Sequence, residues 1–396
     1  MKKNAMRIGF IVFIYLCMPM LIVWAFQKWS WAQKVGTVIM AYAVGIVLSL
    51  SNLTVFESGS AEAETMRSIQ KWIMDCTVPL AIPLMLLGSD FRMWAKSLPK
   101  TIIALVGGLF AVVVAVCSGF FVFRDCGIEN FSDLAAMMIG IYTGGTMNFA
   151  ALGASLHIDS TIMTCLLTIE MLITFPLILF IVGGGYHLFR KFLPYESKTV
   201  ETDMTESAKI TDVEDYSGML SGEILPKIIV ALLLALAFVG VGVGLSYAVC
   251  GGINEMVVIV TVTTLAICAS FCRKIRELPK TFEMGMVLIL MFSVVVASQF
   301  DFYMLRTTIV TLVYFVLFVL LVSILLHFIV CKIFKIEGDL FVVANIGLLC
   351  SPPFIPPVVG AMGNKKVLVS GLAIGLVGYA VGTYIGLALA YVLGML

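Results

Sequence analysis

The chain has 396 residues, of which 61% are hydrophobic and 12% are charged, and its formal net charge is +1. Its mean hydropathy is +1.08. Soluble proteins carry about 25% charged residues, so this composition is typical of a chain that is mostly embedded in lipid. The near-neutral charge gives no basic surface for nucleic acid, and the scattered histidines and the cysteines inside apolar runs indicate neither a zinc site nor a disulfide framework.

Twelve apolar runs follow one another along the chain. Most are long enough to cross about 30 Å of hydrocarbon at about 1.5 Å per residue. They lie near 8–26, 35–50, 70–88, 101–123, 134–157, 161–189, 224–249, 254–271, 281–299, 306–331, 340–362 and 367–394. The first run is longer than the apolar core of a signal peptide, so we expect it to be kept as a membrane span.

A polar segment divides these runs into two sets of six. We predict a first transmembrane repeat over 1–189, a polar cytoplasmic linker over 190–223 and a second, inverted transmembrane repeat over 224–396. Asp90 and Asp301 end corresponding runs in the two repeats. The predicted fold is an all-α integral membrane protein with two inverted repeats, each of about five transmembrane helices and one broken or re-entrant helical hairpin.

Two stretches interrupt their apolar runs at corresponding places in the two halves. The first, 142–148, reads YTGGTMN, and the second, 345–357, reads NIGLLCSPPFIPP. Lipid cannot hydrate the backbone groups that glycine and proline free, so such segments occur at membrane depth only inside protein or beside a cavity. Paired interruptions of this kind are typical of the substrate site of a secondary transporter.

The first interruption carries five candidate binding residues, Thr143, Gly144, Gly145, Thr146 and Asn148. A helix that ends near Thr143 directs unsatisfied carbonyls into the gap, and a helix that begins near Thr146 directs unsatisfied amides into it. A cation and an anionic substrate could therefore bind side by side, with Asn148 adding a side-chain amide. The alternative is that the two glycines only let helices pack closely.

The second interruption contributes Asn345, Gly347, Ser351 and Pro352 as candidates. Its four prolines lack amide donors and prevent a regular helix, which frees carbonyls as cation ligands. One expectation is a sodium site built from backbone carbonyls near Gly144 and Ser351. The other is a purely structural turn at the tip of a hairpin.

Glu170 lies nine residues into the sixth apolar run, and Thr174 shares its helical face one turn later. A carboxyl group at this depth costs at least about 2.5 kcal/mol, so it usually faces the bundle interior and marks a proton, ion or substrate path. The alternative is a neutral, hydrogen-bonded structural glutamic acid.

The placement of lysine and arginine bears on orientation. With the N-terminus outside and each broken element returning to its own side, 18 of the 25 basic residues lie inside and 7 outside. Twelve full crossings with the N-terminus inside place 17 basic residues inside and 8 outside, so this count does not distinguish the two arrangements. We favour the first arrangement because five crossings plus a hairpin invert the second half relative to the first.

Three stretches resemble an uncharacterised bacterial multi-pass membrane family, domain of unknown function 819: YTGGTMNFAA at 142–151, ANIG at 344–347 and GYAVGTYIG at 378–386. More distantly, the chain is similar to glutamate/sodium, citrate/sodium and bile-acid/sodium symporters. The resemblance covers essentially the whole chain and implies a secondary transporter whose unwound segments meet at a central site. The chain departs from the family after Gly347, where Leu348 stands in place of a second glycine.

We therefore expect an ion-coupled, symporter-like secondary transporter that uses alternating access to move a small, anionic organic solute. The alternative is a channel or pore lined by re-entrant hairpins. The sequence contains no nucleophile motif and no phosphate-binding loop, so we expect no enzyme, no catalytic residue and no cofactor other than a sodium ion or proton as coupling ion. The expected setting is the bacterial cytoplasmic (inner) membrane, as a homodimer in a lipid bilayer with a small-molecule solute and no nucleic acid.

Overall fold

The computed structural model describes residues 2–51, 53–54, 56, 60–88, 91–124, 128, 130–158, 160–195, 215–219, 221–299 and 310–395. Within these ranges the secondary structure is helical and contains no strand. Most of the predicted linker lies outside the described residues, as do Asp90 and Asp301, which mark the predicted repeat.

The α-helices of the described ranges are, in chain order, α1 (Lys2–Lys28), α2 (Ser30–Val35), α3 (Thr37–Leu50), α4 (Ala61–Leu87), α5 (Phe91–Phe123), α6 (Phe131–Ser155), α7 (Ser160–Phe180), α8 (Tyr186–Phe192), α9 (Leu225–Cys250), α10 (Glu255–Ser270), α11 (Arg273–Arg276), α12 (Thr281–Ser298), α13 (Val310–Ile333), α14 (Gly338–Asn345), α15 (Ile355–Met362) and α16 (Leu368–Gly394). Short π-helical segments follow α7 and α14, at Ile181–Gly185 and Ile346–Cys350, and 3-10 turns lie at Pro352–Phe354 and Lys365–Val367. Within the described residues, each of the twelve apolar runs corresponds to a helix or to a chain of consecutive helices.

By length and composition, seven helical stretches of the described residues can cross a membrane: Met6–Lys28, Leu98–Phe123, Cys165–Phe192, Leu225–Cys250, Thr281–Ser298, Val310–Ile333 and Lys365–Gly394. The apolar helices Thr37–Leu50, Val257–Ser270 and Gly338–Cys350 are shorter. A helix satisfies its own backbone hydrogen bonds, which lipid cannot do. The protein is an all-α integral membrane protein, as its composition predicts.

The chain forms two compact units, and each unit takes segments from both halves of the sequence. The first unit comprises Met1–Met93 and Ala208–Phe302, and the second comprises Trp94–Ser207 and Tyr303–Leu396. The boundaries of the units therefore differ from the boundary between the predicted repeats.

In the first unit, the buried helix α12 packs against α3 and α4. A small polar cluster lies in this unit, where the Tyr15 hydroxyl lies 2.6 Å from Ser298 Oγ and accepts a hydrogen bond from Gln70 Nε2 at 2.9 Å. These bonds satisfy polar groups that would otherwise be costly to bury. Near the end of the predicted linker, Lys280 Nζ donates to Asp215 Oδ2 at 2.6 Å, and this hydrogen bond, together with those from Ser217, lowers the pKa of Asp215 to about 2.

In the second unit, α16 packs along α6, and α5 packs against α13. Gly107 of α5 faces Val330 of α13, whereas Gly119, further along α5, faces Phe315, nearer the start of α13. The two helices therefore run antiparallel. Glycine at these contacts lets the helix backbones approach closely.

Candidate functional site

The helix α6 folds back on itself at Gly144 and Gly145, and we call it hairpin 1. Gly144 has φ −147° and ψ 16°, and Gly145 has φ 57° and ψ −153°. Gly140, before the break, lies against Leu152 and the backbone of Asn148, after the break. In a continuous helix Gly140 and Leu152 would be about 18 Å apart. The first interruption is therefore the tip of a hairpin with two helical limbs.

The segment 338–362, which we call hairpin 2, folds in a similar way. Its first limb, α14 and the following π-helical turn, ends at Cys350, and Ser351 takes φ 88° and ψ 155°. The second limb begins with the 3-10 turn Pro352–Phe354 and continues as α15. The two ends of the hairpin lie together, because Asn364 Nδ2 donates to Asp339 Oδ2 at 2.7 Å.

A buried ion pair holds the base of hairpin 2. Arg190 Nε donates to Asp339 Oδ1 at 2.6 Å and Arg190 Nη2 donates to Asp339 Oδ2 at 2.9 Å, while Nη2 also donates to the Met362 carbonyl at 2.8 Å. The Asp339 side chain is 2% exposed. The rings of Tyr186 and Tyr195 each lie 4.6 Å from the guanidinium carbon. A bidentate pair of this kind fixes both distance and orientation.

The tips of the two hairpins meet inside the second unit. A Cβ at residue 145 would collide with Ser351 Oγ, and the ring of Tyr379 of α16 lies beside the same point. Gly145 is buried and Ser351 is half-buried, whereas the side chain of Thr146 is exposed. The meeting point is therefore buried at the glycine, and the side chain of Thr146 beside it lies at the surface of the chain.

A row of glycines on α16 receives both hairpins. The glycines nearer the start of the helix lie against hairpin 2, and the later ones lie against hairpin 1. The contacts with hairpin 2 join Gly371 to Val343 and Ile355, and Gly375 to Pro352. The contacts with hairpin 1 join Gly378 to Thr143, Gly382 to Thr143 and Asn148, and Gly386 to Leu152. Any larger side chain at these positions would collide with a hairpin. One helix thus holds both broken elements.

Hydrogen bonds fasten hairpin 1 to α16. Asn148 Nδ2 donates to the Tyr379 carbonyl at 3.1 Å and to the Gly378 carbonyl at 3.4 Å. Thr143 Oγ1 instead donates to the Ile139 carbonyl of its own limb at 2.6 Å. Both side chains are buried. The amide of Asn148 therefore positions the second limb, and the hydroxyl of Thr143 closes the end of the first limb.

Glu170 of α7 lies in a buried polar cluster beside both tips. Among the described residues, the hydroxyls of Tyr142 and Thr174 are buried without a hydrogen-bond partner in good geometry. The Thr174 hydroxyl is nevertheless within reach of both the Glu170 carboxyl and the Tyr142 hydroxyl, and the Cys350 thiol lies near the same carboxyl. Tyr142 and Cys350 stand just before the two tips. The cluster therefore joins α7 to the first limb of each hairpin.

Two predicted site residues lie away from the tips. Asn345 Nδ2 donates to the Phe341 carbonyl of its own helix at 2.9 Å, and its side chain reaches His327 of α13. Gly347 lies against the backbone of Gly371 in helix packing. The structure brings together the remaining predicted residues, which are Thr143, Gly144, Gly145, Thr146, Asn148, Ser351 and Pro352, with Glu170 beside them.

The comparison with known proteins agrees with the resemblance drawn from the sequence. Residues 13–396 match the family described as "Protein of unknown function (DUF819)". The chain belongs to this family. It is also similar to "Uncharacterized membrane protein YjcL" of Bacillus subtilis (strain 168), with 22% identity over 374 residues that cover 91% of this chain and 90% of that protein. The prediction of a DUF819 membrane protein is therefore confirmed.

Sequence reasoning missed three features of this DUF819 protein. It did not pair Arg190 with Asp339, and it did not place Tyr142 and Cys350 next to Glu170. The role of the α16 glycines was also missed, although their spacing carries the signal, because steps of three and four residues put Gly371, Gly375, Gly378, Gly382 and Gly386 on one helical face.

Among the described residues, no group of three or more His, Cys, Asp or Glu side chains is placed to hold a metal ion. The sodium site predicted from backbone carbonyls near Gly144 and Ser351 stays a prediction. One nearby carbonyl, that of Thr143, lies against Gly378 of α16.

Proposed function

We propose that the protein is an ion-coupled secondary transporter that works by alternating access and carries a small organic anion. The observation that carries this proposal is the meeting of Gly145 and Ser351, at the tips of hairpins from the two halves of the chain, beside the exposed side chain of Thr146. Broken helices at matching places in two halves commonly form the substrate site of secondary transporters.

The helix ends at the meeting point favour charged ligands of both signs. The first limbs end there, near Thr143 and at Cys350, and helix C-termini carry partial negative charge. The second limb of hairpin 1 begins there, near Thr146, and its first amides have no partner within the helix. An anion is therefore favoured next to Thr146, and a cation or proton next to Glu170.

We further propose that the two halves are inverted repeats. The antiparallel course of α5 and α13, which occupy the same place in their halves, supports this arrangement. Single cysteines at His157 and Lys366, in a cysteine-free background, should then react with impermeant reagents from opposite sides of the membrane. Labelling of both from one side would contradict the inversion.

The proposal extends to setting and assembly. We place the protein in the bacterial cytoplasmic membrane, on the ground that the similar YjcL is a membrane protein of a bacterium. We also propose a homodimer that has no enzymatic activity and binds no cofactor other than its coupling ion. Native mass spectrometry of the protein in detergent tests the dimer, and a single-chain mass would contradict it.

The proposed function can be tested on purified protein. Thermal unfolding is measured with a panel of small mono-, di- and tricarboxylates, with and without sodium, because a ligand that binds only the folded state stabilises it by mass action. A carboxylate that stabilises is then offered, radiolabelled, to proteoliposomes. Saturable, gradient-driven uptake is expected.

The same proteoliposomes distinguish a carrier from a channel. Currents at near-diffusional rates, with no saturation by the solute, would contradict the carrier and support the pore. Uptake that is unchanged in Gly145→Val would contradict the assignment of the site to the hairpin tips.

A further inference from the structure

We propose that the coupling ion of this protein is a proton, bound by the carboxyl of Glu170 between the first limbs of the two hairpins. This inference rests on the transport function proposed above. The step is a simple protonation, in which the carboxylate takes up one proton to become a neutral carboxylic acid and releases it again on the other side of the membrane.

The first argument is the neutrality of the surroundings. The side chain of Glu170 is 7% exposed, and the titratable and hydroxyl groups beside it, among the described residues, are the Thr174 hydroxyl from its own helix, the Tyr142 hydroxyl from hairpin 1 and the Cys350 thiol from hairpin 2. None of these groups is a cation. A buried carboxylate without a cationic partner is strongly unfavourable, so the carboxyl must take up a proton or another positive ion.

The second argument is the direction of the neighbouring helices. Tyr142 and Cys350 are among the last residues of the two first limbs, so the carboxyl lies near two helix C-termini. Their partial negative charges oppose a carboxylate and favour a neutral acid or a bound cation. Both hairpins therefore disfavour the ionised carboxylate of Glu170.

The third argument distinguishes the proton from sodium. A hard cation needs several oxygen ligands, whereas the side chains of the cluster offer one carboxyl, two hydroxyls and the thiol of Cys350, which is a soft ligand. A proton needs a single carboxyl oxygen. The neutral acid can still accept a hydrogen bond from the Thr174 hydroxyl, so protonation does not leave that buried hydroxyl without a partner.

The position of the cluster connects proton binding to the hairpin tips. Tyr142 lies two residues before Gly144, and Cys350 lies one residue before Ser351. Loss of the proton would place a negative charge beside both limb ends and would weaken the contact between the tips. Protonation of Glu170 therefore favours the arrangement in which Gly145 and Ser351 meet.

The test is infrared difference spectroscopy on the full chain in lipid nanodiscs, stepped from low to high pH, which needs no solute. Wild type should show the carbonyl stretch of a buried carboxylic acid that is lost as the pH rises. The band should be absent from Glu170→Gln and kept in Glu283→Gln, a matched control because Glu283 is also buried, at 8% exposure, but belongs to the first unit. Thr174→Val should keep the band and shift its frequency, because the carboxyl loses a hydrogen bond.

Several outcomes would overturn the proposal. The first is a titrating carbonyl band that survives in Glu170→Gln, and the second is the lack of such a band in wild type. The third is loss of the wild-type band when sodium chloride is added at constant pH. If Glu170→Gln does not fold, Thr174→Val decides, and an unshifted band counts against the site. The infrared measurement does not depend on uptake. If no carboxylate were transported, the proposed function would be refuted, and the infrared band of Glu170 would still test the proton site.

Discussion

Hairpin 1 and hairpin 2 reverse direction through similar backbone conformations but with different residues at the turn. Gly145 has φ 57° and ψ −153°, and Ser351 has φ 88° and ψ 155°. This region of backbone conformation is almost restricted to glycine, and another residue there costs about 1–3 kcal/mol. A side chain held at that cost suggests a function that glycine would not supply, and the Ser351 hydroxyl is the group that lies against Gly145.

The second limbs of the two hairpins also begin with different residues. In hairpin 1 the second limb begins near Thr146, at residues that each carry an amide hydrogen. In hairpin 2 it begins with Pro352 and Pro353, which have no amide hydrogen. The two hairpins thus have similar shapes and different chemistry. In the proposed site, hairpin 1 would supply amide donors and hairpin 2 would supply a hydroxyl on a stiff turn.

The largest effect on stability is expected at the base of hairpin 2. Arg190→Gln leaves the buried Asp339 carboxylate without its bidentate partner and should lower the free energy of unfolding by about 3–5 kcal/mol. Thermal unfolding of the purified protein measures the loss. Arg273→Gln is the control, because it removes an ion pair with Glu277 in which the arginine side chain is 82% exposed, and it should cause a much smaller loss. Equal losses in the two variants would contradict this account of hairpin 2.

The tip of hairpin 1 should be the next most sensitive position. Gly145→Ala forces alanine into a glycine conformation, at about 1–3 kcal/mol, and adds a collision with Ser351. Stabilisation by any carboxylate ligand should disappear. Gly244→Ala is the control, since Gly244 is a helical glycine with no other atom within 4 Å of an added Cβ, and it should be neutral or slightly stabilising. Normal ligand response in Gly145→Ala would show that the tips are not the binding site.

At the tip of hairpin 2 the same argument about backbone strain predicts a gain in stability instead of a loss. Ser351→Gly relieves the strained backbone and should stabilise the fold by about 1 kcal/mol, while it weakens ligand binding by removing the hydroxyl. Ser351→Ala separates the two effects, because it loses the hydroxyl but keeps the strain. Denaturation curves with and without a carboxylate measure both. If a carboxylate stabilised Ser351→Gly as much as wild type, the hydroxyl would have no role in ligand binding.

A further small effect concerns the two asparagines. Asn148 bonds to carbonyls of α16, so Asn148→Leu should cost about 0.5–1.5 kcal/mol as hairpin 1 loosens. Asn345 bonds within its own helix, and Asn345→Leu should cost less. Comparison of the two midpoints of thermal unfolding tests this order. A larger loss at Asn345 would reverse the roles assigned to the two hairpins.

Much of this arrangement could be predicted from local sequence. The described part of every apolar run forms helix because lipid offers no other partner for backbone amides and carbonyls, and the breaks fall where Gly144-Gly145 and the proline cluster stand. The partners across the fold could not be predicted. Arg190 and Asp339 both stand near run ends, where charges are common, and nothing nearby in the sequence joins them. Their pairing depends on contacts between residues far apart in the chain.

The glycine row of α16 has a consequence for hydrogen exchange. Hairpin 2 rests against Gly371 and Gly375, and hairpin 1 against Gly378 and Gly382, along about 17 Å of one helix. Opening of either hairpin therefore disturbs the helix that supports the other, and the two should exchange their amides as one cooperative unit. A solute that touches only hairpin 1 should then slow deuterium uptake in hairpin 2 as well.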